Sequence, residues 1–237
     1  MKNGPLFLLG LFVALLMSWA AIVLGSHAQL GELAPYFDAA EGQSYPVRAG
    51  GLAMRGQLVY ADLGCASCHT QQVRRADFGS DHARGWGERQ SVARDYIFQL
   101  RPQLGAMRIG PDLTNLAARK PQPPTAESLY QLLYVGSPAH PSYRFLFETR
   151  EITGQASPKA LALSGNLAPA RGHEIVPTER AQSLVAYLLS LNSTYVYPES
   201  RPFEPKKAAP AAGAAPKQDV KPVPAAAPDE KKKEAKK

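Results

Sequence analysis

The chain has 237 residues, the length of one ordinary domain with appended segments, and it carries only two cysteines and a formal net charge of +7. Two cysteines are too few for a disulfide-stapled secreted scaffold, so their use is local. The charge belongs mostly to the tail: residues 198–237 hold ten Lys or Arg against six Asp or Glu, and nowhere do basic residues interleave with aromatics as a nucleic-acid groove requires.

Leu6 to Gly25 reads LFLLGLFVALLMSWAAIVLG, twenty residues without a charge. As a helix this run spans about 30 Å, the thickness of a bilayer core. A cleaved signal peptide is the competing reading, since small residues follow at Ser26-His27-Ala28, but the apolar run exceeds the roughly 7–15 residues of a signal core. Residues 1–25 are therefore expected to be a short stub and a retained transmembrane anchor. Lys2 precedes the span and the next Lys or Arg after it is Arg48. By the positive-inside rule the amino terminus lies in the cytoplasm and the rest of the chain outside, across a cell inner membrane.

Residues 26–50 lack sustained periodicity and read as a linker. A domain is expected over 51–197. It opens on GGLAMRGQLVYADLG, where Leu52, Val59, Tyr60 and Leu63 recur at helical spacing and lead directly into the cysteines. Residues 70–125 are loop-dominated, with a short helix expected near Val92–Leu100. A further helix is expected over Thr125–Tyr134, capped by Thr125 and stopped before Gly136 and Pro138. The clearest helix follows Thr178, with Leu184, Val185, Leu188 and Leu191 as its apolar stripe and Asn192 at its close. From Pro198 to Lys237 the chain becomes Pro, Ala and Lys, too poor in apolar surface to offset the entropy of ordering, and is expected to be disordered. The fold class is mainly α, with long loops.

Cys65-Ala66-Ser67-Cys68-His69 has the c-type haem attachment spacing: two thiols one turn apart bond the porphyrin edge, and the next residue ligates iron axially. A redox dithiol or half of a zinc site are the alternatives. Zinc needs two further ligands without a second cysteine pair in the chain, and a redox dithiol belongs in a strand-then-helix setting that is missing. In small cytochromes c a Gly-Pro pair lies on the proximal side, where the proline carbonyl accepts the free ring N–H of the haem histidine; Gly110-Pro111 can take that role. Methionine is the usual sixth ligand. Here the methionines are Met1, Met17, Met54 and Met107, and Met107 sits beside Pro111, close to the wrong face. His140, in the Pro-flanked loop SPAHPSYRFLF, is preferred, with Met107 the runner-up, His173 less constrained, and His82 in a charged polar loop. Arg74, Arg75, Arg84, Arg89 and Arg94 could neutralise propionates or dock a partner, although solvated faces explain most of them.

The stretches GCASCHTQQVR, MRIGPDLTNLAARK, PSYRFLFE, SGNLAP and VPTERAQSLVAYLLSL resemble the membrane-anchored mono-haem subunit II of cbb3-type cytochrome c oxidases, over about Leu52–Leu191. The resemblance implies a class I cytochrome c fold facing the periplasm, one covalent haem c, and a haem–copper catalytic subunit with other cytochrome subunits as partners in the membrane. It also implies the roles of Cys65, Cys68, His69 and Pro111. The chain departs from the family at His140, which stands where the family places its axial methionine. The leading function is thus electron transfer within a terminal oxidase, with no substrate chemistry of its own. Alternatives are a stand-alone anchored electron carrier, the small subunit of a nitric oxide reductase, a haem-based sensor and a structural assembly subunit. No hydrolase triad, phosphate-binding Gly loop or paired catalytic carboxylates point to an independent enzyme.

Overall fold

The computed structural model describes residues 3–200. The apolar run lies inside one continuous helix, Gly4–Leu30, built from α1 (Gly4–Trp19), a single π turn (Ala20–Leu24) and α2 (Gly25–Leu30). Pro5 falls in the first turn, where its missing N–H leaves no helical bond unmade. The helix has a mean hydropathy of 2.6 in its most apolar window, no part of which is buried against the protein, and it is long and apolar enough to cross a membrane. An uncovered apolar surface of this kind is stable in lipid, where the helix satisfies its own backbone.

The helix runs five residues beyond the apolar stretch, so the segment expected as a linker begins helical. It then forms an antiparallel hairpin of β1 (Tyr36–Asp38) and β2 (Gln43–Tyr45). Asp38 closes the turn by accepting the Ala40 N–H at 2.8 Å, and Gly42 supplies the left-handed residue that the turn requires. Residues from the far end of the chain hold the hairpin. Tyr45 stacks on Tyr195 with ring centroids 3.9 Å apart, and the Tyr195 hydroxyl donates to Asp38 at 2.7 Å. Three-residue strands carry too little alternation to be read from sequence.

The core forms where α3 (Gly51–Asp62) meets α5 (Glu179–Leu188). Helix α3 turns Ala53, Gly56 and Tyr60 inward, and α5 buries Ala181, Leu184, Val185, Tyr187 and Leu188. Gly56 sets the approach, because a Cβ there would lie 1.9 Å from the Ser183 carbonyl oxygen. The two helices also share a tyrosine pair, Tyr60 edge-on to Tyr187 at 5.4 Å. Helix α4 (Ala126–Val135) adds Leu129 and Leu133 to the same core and is capped as expected: Thr125 accepts the Ser128 N–H while the Ser128 hydroxyl accepts the Thr125 N–H.

Two expectations about secondary structure change. The helix expected near Val92–Leu100 is one 3-10 turn, Ala93–Tyr96, and α5 ends at Leu188 rather than near Asn192. An unanticipated hairpin pairs β3 (Phe147–Glu151) with β4 (His173–Pro177), Phe147 opposite Pro177 and Glu151 opposite His173. Its strands, FETRE and HEIVP, do not alternate in polarity, because β4 buries four consecutive residues while β3 is exposed beyond Phe147. Among the described residues the fold is thus four helices with two small hairpins. Ser200 is still buried, and the remainder of the Pro/Ala/Lys tail, expected to be disordered, lies outside the described residues, as does Lys2.

Arg89 is not on a solvated face. It is 4% exposed, forks onto Asp95 at 2.9 and 2.6 Å, and donates to the Tyr195 carbonyl at 2.5 Å, joining the loop to the C-terminal segment. Arg74 and Arg94 pair with Asp81 and Glu199 from half-buried positions, whereas Arg75, paired with Asp77, and Arg84, over the Trp86 ring at 4.9 Å, are exposed as expected.

Candidate metal centre

Helix α3 ends at Asp62 with Leu63 as its C-cap, and Gly64 takes a left-handed φ of 71° that a side chain would oppose. The chain turns there into the 3-10 segment Cys65–Ser67, and the His69 N–H returns to the Cys65 carbonyl at 3.0 Å. One compact turn thus carries Cys65, Cys68 and His69. No disulfide joins Cys65 to Cys68. Burial pushes the Cys65 thiol up to about 11, the reverse of the lowered pKa that activates a redox dithiol. Among the described residues no group of three or more His, Cys, Asp or Glu is arranged to hold a metal ion by itself.

Residues 104–113 lie along this turn and are laced to it. Gln71 N–H donates to the Leu104 carbonyl, Ala106 to Ala66, Gly110 to Cys68, and Leu113 to Thr70, all between 2.8 and 3.0 Å. This loop brings the Pro111 carbonyl 2.8 Å from His69 Nδ1, which fixes the proton on Nδ1 and leaves Nε2 as the nitrogen with a free lone pair. It also explains Gly110: a Cβ at that position would stand 2.2 Å from His69 Cε1.

His140 reaches the site from another direction. Helix α4 stops at Gly136, whose positive φ and close contact with the His140 carbonyl exclude a side chain. Ser137 and His140 then exchange both backbone hydrogen bonds, at 2.8 and 3.0 Å, to make a closed turn. The result is a His140 ring whose centroid is 6.3 Å from that of His69, at 47°. Burial pushes the His140 imidazole below its ordinary pKa, the Pro141 backbone opposing and His69 adding to the shift, and its Nδ1 is buried without a hydrogen-bond partner. A neutral imidazole is the ligating form. Two imidazole–metal bonds of about 2 Å each, with the distance from each nitrogen to its ring centre, span about 6 Å, so one iron fits between these rings.

The other candidates are elsewhere. Met107 is exposed in the loop that carries Pro111. His173 is exposed on β4, beside the Arg171 carbonyl, and His82 is exposed in the turn after Asp81.

Sequence reading missed a buried polar cluster around this loop. Asp112 is fully buried and accepts the Thr70 hydroxyl at 2.6 Å, the Gln72 N–H at 2.9 Å and the Thr114 N–H at 2.9 Å. Asp81, 1% exposed, accepts the Arg74 N–H and guanidinium and the Arg108 guanidinium. Burial pushes its carboxyl up, but the Arg74 and Arg108 hydrogen bonds outweigh that and hold it below the ordinary value. Gln71 is buried too, accepting from the Tyr187 hydroxyl at 2.8 Å while its carbonyl accepts from Tyr96. The residue after Thr70 thereby ties the site to α5. Polar residues in loops have no period, so the only signal for these partners was their closeness in sequence to His69 and Pro111.

No curated protein is similar enough to the chain to count as a relative. The family described as the cytochrome c oxidase mono-haem subunit, FixO, matches residues 12–169, more than half of the chain and including the apolar helix from Phe12 onward, the cysteine turn and the His140 loop, and the chain belongs to that family.

Proposed function

We propose that this mono-haem subunit of a cbb3-type oxidase carries a haem c joined to Cys65 and Cys68, with its iron held by His69 and His140, and serves as an electron-transfer subunit beside the haem–copper catalytic subunit. The observation that carries the reading is the pair of imidazoles 6.3 Å apart, one of them oriented by Pro111, next to the two thiols of one turn. When bound, the haem supplies a one-electron iron couple. The chain supplies the rest. Cys65 and Cys68 tether the porphyrin edge, Pro111 holds the His69 ring by accepting its N–H, and the Gly136 turn holds His140. The α3–α5 packing at Gly56, with the cysteine turn directly after α3, supports a class I cytochrome c arrangement. Lys2 before the helix, and the absence of Lys and Arg between it and Arg48, support a periplasmic haem domain and a cytoplasmic amino terminus.

Ligation by two histidines lowers a haem potential relative to histidine–methionine. The test is near-infrared magnetic circular dichroism and EPR of the oxidised full-length protein, with haem attachment read from the alkaline pyridine spectrum. A bis-histidine signature on a covalent haem is expected. A histidine–methionine charge-transfer band would exclude His140 and return the assignment to Met107.

A further inference from the structure

We propose that the buried cluster of Arg108, Asp81 and Asp112 is a positioning and charge-setting unit for the proximal histidine, and that the charge balance of the cluster sets the reduction potential. The proposal rests on the haem reading above. Arg108 is the hub. Its Nε donates to the Thr70 hydroxyl at 2.9 Å, its Nη2 donates to the Gln72 carbonyl at 2.5 Å and lies 3.6 Å from Asp112, and its Nη1 pairs with Asp81. The guanidinium is 5.4 Å from the centre of the buried Trp86 ring. Thr70 directly follows His69, and Asp112 directly follows Pro111, so one side chain binds the neighbours of both partners in the His69–Pro111 hydrogen bond.

The cluster is almost closed to water. Arg108 is 15% exposed, Asp81 1% and Asp112 0%, so these charges are screened far less than surface charges. Two further cations face the group. Arg74 pairs with Asp81 from a more exposed position, and Arg119 donates to the Asp112 carbonyl. Oxidised iron carries one more positive charge than reduced iron. Removing a buried cation beside its ligand therefore favours the oxidised state, and removing a buried anion favours the reduced state.

The test is redox titration of the full-length protein in detergent, with haem content and EPR measured on each sample. Arg108→Gln is expected to lower the midpoint potential, Asp81→Asn to raise it, and the double variant to return towards the wild type, all with the axial ligand signature kept. A purely structural role would move both single variants in the same direction, and that result, or no shift in either, overturns the proposal. If Arg108→Gln does not retain haem, Arg108→Lys preserves the charge without the fork, and a potential unchanged from wild type in Lys with a raised one in Asp81→Asn supports the proposal. A wild-type protein without covalent haem would instead defeat the haem reading itself.

Discussion

Gly110 lies against the edge of the His69 ring so closely that a Cβ would meet Cε1 at 2.2 Å and Nδ1 at 2.7 Å. The ring cannot retreat without leaving the Pro111 carbonyl, and the backbone at Gly110 is itself bonded to Cys68. Gly110→Ala is expected to displace the imidazole and lower the haem-to-protein ratio several-fold, with a perturbed EPR spectrum in what remains. Haem content equal to wild type with an unchanged spectrum would contradict this contact.

The His140 position gives a second test. His140→Ala is expected to remove the low-spin six-coordinate spectrum while the haem stays attached through Cys65 and Cys68. His140→Met is expected to introduce the near-infrared band of histidine–methionine ligation and raise the potential. Low-spin spectra unaltered in both variants would show that another residue is the ligand.

The α3–α5 contact predicts a stability effect separate from the site. Gly56→Ala puts a methyl 1.9 Å from the Ser183 carbonyl oxygen, which neither helix backbone can relieve locally. A loss of about 1–3 kcal/mol or more is expected, as for other overpacked cores, and thermal melting followed by circular dichroism measures it. An unchanged midpoint would mean that the helices part freely.

Thr178 caps α5 and also anchors the end of β4. Its oxygen accepts from Ala181 N–H at 3.4 Å and its hydroxyl donates to the Leu146 carbonyl at 2.8 Å. Thr178→Ala is expected to cost about 1 kcal/mol, and Thr178→Ser to recover most of it, in urea denaturation curves.

Asp81 predicts an acid sensitivity. Its folded-state pKa is depressed below the ordinary 3.8. The stability it contributes is therefore complete above that value and is lost as pH falls through the lower folded one. The pH dependence of unfolding, measured from about pH 5 downwards through the carboxylate range, is expected to steepen below about pH 4 in wild type and to be shallower in Asp81→Asn. Identical pH profiles would remove Asp81 from the account.

The sequence by itself determined the parts of this protein that are local or periodic. The Leu6–Gly25 run marks the apolar helix, the apolar spacing of α5 marks its buried face, and Thr125 and Thr178 mark the starts of α4 and α5, because each signal is written within a few turns of chain; of the stripe read for α3, Tyr60 is buried while Leu52 is exposed, the face being set instead by Ala53 and Gly56 against α5. The spacing of Cys65, Cys68 and His69 is legible for the same reason: one turn brings all three together. Tertiary structure alone decided which of His140, His173 and Met107 faces His69, since that depends on the Gly136 turn closing over a core assembled from α3, α4 and α5. It also decided that Arg108 turns inward to Asp81, that Arg89 is buried on Asp95, and that Tyr45 meets Tyr195. The partners in these contacts lie in loops or in different elements, and a charged or aromatic side chain in a loop carries no periodic sign of its partner. The choice between burial and exposure is made only when the surrounding chain supplies the hydrogen bonds that make burial affordable.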